Sequence, residues 1–181
     1  MSKSRRISNF KLFWNTHKWV GIISAIFILN LAITGFMLLI KKNVAWIQPP
    51  EIRGAEPNQF GMSFDDIVEA CRQHPELAIQ SWEDIDRLDV RPGKGMLKVR
   101  ANNNWEAQID ITDGRVLKVA YRRSDIIESI HDGSFYADWL HAWVWPAVAC
   151  CLVFLAFSGF WLWLEPKVRR ARRRRAQAMK A

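Results

Sequence analysis

Two long runs without a charge dominate this sequence. Residues 19–40 hold 22 consecutive uncharged, mostly apolar positions, and residues 142–164 hold 23. A helix that crosses a bilayer needs about 20 such residues. The hydrocarbon offers no partner for an open backbone N–H or C=O, so a spanning segment must bond to itself. The first run is too long for the ~7–15-residue apolar stretch of a signal peptide, and no small-x-small cleavage site follows it before Lys41. It is expected to remain as an anchor.

Charge is segregated around these runs. The chain is basic overall, at +8, which first suggests a nucleic-acid partner. Residues 1–42 carry seven positive side chains and no acid, and residues 165–181 carry eight with one acid. Residues 43–164 carry 11 positive and 17 acidic side chains. The basicity therefore flanks the membrane runs and serves topology and anionic lipid, not nucleic acid. Both termini are expected to be cytoplasmic, with the middle outside. Lys41 and Lys42 oppose this mildly, but two spans and an Arg-rich tail outweigh them. Of ten tryptophans, seven flank the two runs, as an interfacial belt would.

The organisation expected is a cytoplasmic N-terminus over 1–18, spans over 19–40 and 142–164, an extracytoplasmic α+β domain with a return helix over 41–141, and a cytoplasmic tail over 165–181. The fold class is membrane α-helical, two antiparallel helices joined by that small domain. In it, Ser63 with Asp66 three residues on predicts a capped helix ending at His74-Pro75. Period-two patterns predict strands with Leu97, Val99 and Ala101 on one face, then Trp105, Ala107, Ile109 and Ile111, then Leu117, Val119 and Tyr121. Asn102-Asn103-Asn104 and Thr112-Asp113-Gly114 make the turns. Another strand is expected near 85–91 and a short helix over 124–130.

The two apolar runs are also related to each other. At an offset of 124, His17-Lys18-Trp19-Val20 matches His141-Ala142-Trp143-Val144, and Thr34-Gly35-Phe36 matches Ser158-Gly159-Phe160. In each copy the glycine follows the histidine by 18 residues, five whole helical turns, so both lie on one face. In an antiparallel pair each histidine is then level with the other helix's glycine. An imidazole facing a surface without a side chain, among aromatics, suits haem b. His17 and His141 lie most of a bilayer apart, about 30 Å, so one iron cannot take both. Two-histidine ligation needs a symmetric homodimer. His131, ten residues before His141, is either the outer ligand, a second ligand beside His141, or a cap of the short helix. Three cysteines without a Cys-x-x-Cys pair offer no disulfide framework and no covalent haem attachment.

Phe13-Trp14-x-x-His17-Lys18-Trp19-Val20-Gly21, Leu31-Ala32-Ile33-Thr34-Gly35, Ile130-His131-Asp132-Gly133-Ser134-Phe135 and the run from Leu155 to Trp163 resemble the PepSY-associated transmembrane family. The middle, with Asp113-Gly114-Arg115-Val116, resembles a PepSY domain. The resemblance implies a bacterial inner-membrane protein, often linked to iron uptake, with a periplasmic PepSY-like domain. Longer members include haem-containing ferric-siderophore reductases, which carries ligation onto His17 and onto His131 or His141. Those members have four or more spans against the two here, a number that a dimer restores. The resulting expectation is a haem-b electron carrier whose cofactor site includes Gly35 and Gly159. With no Gly-x-Gly-x-x-Gly for a nucleotide, its donor is a quinol or another protein, and its acceptor is ferric iron or a ferric siderophore. The alternative is a non-enzymatic PepSY module, anchored by two helices, that regulates or assembles a partner protein.

Overall fold

A computed structural model describes residues 9–179. Lys3, Arg5, Arg6 and Lys180, part of the basic ends, lie outside them. The elements in chain order are α1 (Asn9–Ile40), α2 (Phe64–Arg72), β1 (Ile85–Arg91), β2 (Met96–Ala101), β3 (Trp105–Asp110), β4 (Val116–Tyr121), α3 (Arg123–Asp132) and α4 (Trp145–Ala178). Two compact units result. One holds residues 1–33 with 131–181, the other residues 34–130.

The helical unit pairs α1 and α4 antiparallel. Phe13 meets Trp161 at 4.9 Å between ring centroids, Gly21 faces Leu155, and Phe27 meets Trp145 edge-on at 5.8 Å. Both helices outrun the uncharged segments, since α1 begins at Asn9 and α4 passes through Pro166 into the arginine-rich tail. Only 11% and 17% of the most apolar windows of the two helices are buried. A core helix of a water-soluble protein would be mostly covered. Here Ile22, Ile23, Ile26, Phe157 and Phe160 stand exposed, and such a surface needs lipid around it. One wide turn, Leu140–Val144, precedes α4, with the Trp145 N–H reaching back five residues to the Leu140 carbonyl. Pro146 explains it, since it cannot donate the N–H that a regular turn would use there.

The second unit is an antiparallel four-stranded meander in the order β1-β2-β3-β4. Its α2 starts at the expected capping box of Ser63 and Asp66. It lays Ile67, Val68 and Cys71 against Leu97, Val99, Ala107 and Ile109. Burial pushes the Cys71 thiol up to about 11, so it packs as an inert core residue. One expected face is corrected. β4 carries a bulge opposite Gln108 and Ile109, so Val116 pairs with Ile109 and packs on the core where the alternation placed Leu117.

The other sheet face is not open to water as its polar residues suggest. The chain from Pro50 to Gly61 crosses it. The Ile52 N–H donates to Gln108 Oε1 at 2.8 Å, Gln108 Nε2 donates to the Pro50 carbonyl at 3.1 Å, and the Ala55 N–H donates to Asp110 Oδ2 at 2.6 Å. Lys98, Glu106, Gln108, Asp110 and Arg122 are all at most 2% exposed. Arg122 Nη1 donates to Glu106 Oε2 at 2.6 Å, and its fork also holds Asp125. Lys98 Nζ donates to Glu51 Oε1 at 3.0 Å. Lys98, Glu106 and Arg122 thus each meet an opposite charge, and Asp110 is met by the Ala55 and Thr112 N–H groups, the condition under which such groups survive desolvation.

Candidate functional site

His17 stands on α1 against the Ser158-Gly159 step of α4, the juxtaposition that the repeat spacing predicts. The Ser158 hydroxyl donates its proton to the Phe154 carbonyl at 2.6 Å. Its oxygen can then accept from His17, whose Nδ1 lies 2.7 Å away. In that arrangement Nδ1 carries the hydrogen and Nε2 the lone pair. Gly159 makes the approach possible. A Cβ there would lie 3.2 Å from His17 Cε1 and 3.9 Å from Nε2. A groove of about 500 Å³ opens beside this step, lined by Phe13, Phe154, Phe157, Ser158, Trp161 and Leu164. Phe13 lies one helical turn before His17, on the same face.

His141 sits in the wide turn before α4. Its Nδ1 lies 2.8 Å from the Asp132 carbonyl, to which it donates, so Nε2 again keeps the lone pair. Its side chain is 54% exposed. The Asp132 carboxyl is pushed up by burial but held lower overall, mainly by the Ser134 hydroxyl and N–H. The His131 carbonyl accepts from Trp145 Nε1 at 2.5 Å. Trp145 ties this loop to the helices, meeting Tyr136 at 6.2 Å as well as Phe27. Gly133 fits beneath it, at φ +84 and with the Trp145 ring 2.6 Å from where a Cβ would be. A second cavity, of about 350 Å³, is lined by Phe27, Asn30, Tyr136, Leu140 and Trp145.

Ser158 lies 17 residues beyond His141 on the same chain, about 25 Å along a helix. His17 and His141 therefore belong to separate places. Gly35 lies near the end of α1 in the sheet-bearing unit, half-buried. Among the described residues no three His, Cys, Asp or Glu side chains converge on a metal position.

Sequence reasoning missed two partners. Ser158 enters it only as the hydroxyl of a repeated motif, and its bond to His17 needs the helix pairing to be known. Asp132 acts through its carbonyl, which no side-chain pattern reveals.

Two exposed apolar helices, paired by an imidazole-serine bond and interrupted in sequence by a small α+β domain, define a membrane protein with an inserted domain. The family model described as the PepSY-associated TM region matches residues 14–180, and the chain belongs to that family. Residue 14 lies inside α1, so most of that helix falls within the matched region. No curated protein matches the chain.

Proposed function

We propose that the protein binds haem b and carries electrons across a bacterial inner membrane. The observation that carries this reading is the His17–Ser158 bond at 2.7 Å, made through Nδ1 so that Nε2 is available as a ligand, with Ser158 itself lining an apolar groove. Metal-binding histidines typically donate their other ring N–H in this way, which orients the ring and makes the ligating nitrogen more basic. His17 is the proposed ligand, Gly159 lets its ring lie close against α4, and Phe13, Phe154 and Trp161 give the neighbouring groove an apolar lining.

Bound haem would supply one-electron exchange at its iron. Nε2 of His17 would hold the iron, and Ser158 would keep the ring in place. A second copy related by a two-fold axis would supply another His17, since one chain offers a single imidazole there. The exposed apolar faces of α1 and α4 are the surface for such a homodimer. His141, with Nδ1 given to Asp132, is the ligand proposed for the outer end, and His131 is the alternative. Gly35 is proposed as its counterpart to Gly159. The basic tail and the positive-inside rule support cytoplasmic termini and a periplasmic domain. A quinol or a protein is then the donor. Ferric iron or a ferric siderophore is the periplasmic acceptor, as in the reductases that the sequence resembles.

The test is optical. The full chain is expressed with haem supplied, purified in detergent and reduced with dithionite. The expected result is a b-type difference spectrum that shrinks in His17→Ala. Folded protein with no Soret band would overturn the proposal and leave the reading as an anchored, non-enzymatic PepSY module.

A further inference from the structure

A pocket of about 280 Å³ lies where α1 leaves its apolar run, lined by Lys42, Gln48, Glu51, Arg91 and Lys94 beside Pro49 and Pro50. Its charge is unbalanced. Glu51 is the one acid of the lining, and it already accepts from Arg91, Lys94 and Lys98, while Arg91 also donates to Asp89 just outside it. The two lysines of the lining keep donors to spare. Lys94 spends one of three ammonium hydrogens on Glu51. Lys42 is exposed, two residues past the end of α1. The lining thus offers spare cationic donors to an anion.

A phosphate ester is such an anion. Its oxygens take bonds from Lys42 and Lys94, as charge-assisted pairs do. Position supplies the source. Lys42 follows the last apolar turn of α1, at the depth where a bilayer presents its headgroups. We infer that this pocket binds the headgroup of an anionic phospholipid through its phosphate and fastens the sheet domain to the membrane surface at the exit of α1. The inference is independent of haem. It rests on residues of the sheet-bearing unit alone and on the membrane span that feeds it.

Dihexanoyl phosphatidylglycerol, held below its critical micelle concentration, is titrated calorimetrically into the full chain in a neutral detergent. Inorganic phosphate and glycerophosphoglycerol are titrated alongside it. The expected result is saturable binding near one lipid per chain, weakened about tenfold by Lys42→Gln, the loss of one charged hydrogen bond, and preserved by Lys42→Arg. Lys42 is exposed, so neither variant threatens the fold. The difference between variants separates the pocket from adsorption to the apolar helices. Unchanged binding in Lys42→Gln, or no saturable binding, would overturn the site. Inorganic phosphate binding as tightly as the lipid would overturn the lipid as its source.

Discussion

Nδ1 of His17 and Oγ of Ser158 stand 2.7 Å apart across the α1–α4 pair. The serine hydroxyl also lies 2.6 Å from the Phe154 carbonyl. With its proton on that carbonyl, the serine accepts from the histidine and Nε2 carries the lone pair. The same bond also pins two helices that otherwise meet through apolar contacts and ring pairs.

Ser158→Ala removes the acceptor while keeping the helix and its small side chain. The proposal predicts that haem affinity falls by about 10–100-fold, the usual range for losing an outer-shell partner, with the b-type spectrum kept at high haem. Ser158→Thr, which keeps a hydroxyl, restores much of the loss. Haem titration followed at the Soret maximum checks both.

Gly159 separates a small change from a large one. A methyl at 3.2 Å from His17 Cε1 needs only a slight shift, so Gly159→Ala retains fold and ligand. Gly159→Leu drives the ring from Ser158 and costs about 1–3 kcal/mol, as overpacking does. Thermal unfolding in detergent reads the cost, and the optical spectrum reads the ligand.

The covered face of the sheet makes its own demand. Glu106 is 1% exposed and holds Arg122 and, at 3.8 Å, Lys98. Glu106→Gln leaves those cations short of an acceptor and is expected to cost about 3–5 kcal/mol. Glu69→Gln, which breaks an exposed pair with Arg72, is expected to cost less than about 1 kcal/mol. Denaturant titration of the full chain, followed by near-ultraviolet circular dichroism, compares the two.

Acid acts on the same network. Burial raises the Glu51 carboxyl, but bonds from Lys94 and Lys98 and the charge of Arg91 more than offset this and hold it at about 2, below its ordinary 4.5. A depressed carboxylate adds stability that is present above the unfolded value and is lost as pH falls through the folded one. Asp89 and Asp125 are also held low, by Arg91 and by Arg122, despite partial burial. Stability of this domain is therefore expected to hold from pH 7 to about 5 and then fall between 4.5 and 2. Glu51→Gln flattens part of that fall. Unfolding midpoints across the range, wild type against variant, check the sign.

The spans, the capped α2 and the strand order were legible because each rests on a local signal. Uncharged length marks a membrane helix, Ser63 with Asp66 marks a cap, and alternation marks a strand. The approach of His17 to Gly159 was legible from one spacing of 18 residues repeated in two antiparallel helices. Leu117 misled because a bulge shifts the period by one and leaves no mark on composition. Lys98, Glu106 and Gln108 read as a wet face because alternation cannot say what covers it. The cover comes from residues 50–61, far off in sequence and without regular structure. The partner of His141 was hidden for a similar reason, since a carbonyl acceptor depends on how the Asp132-Gly133 turn is placed.

The central claim is that Nε2 of His17 ligates haem iron in a dimer. Low-temperature electron paramagnetic resonance of the ferric, detergent-purified full chain tests it most directly. The account predicts a low-spin signal of two-imidazole ligation that falls in His17→Ala by the share of the His17 site. An undiminished low-spin signal in His17→Ala, or one carried by a protein that sediments as a monomer, would contradict it.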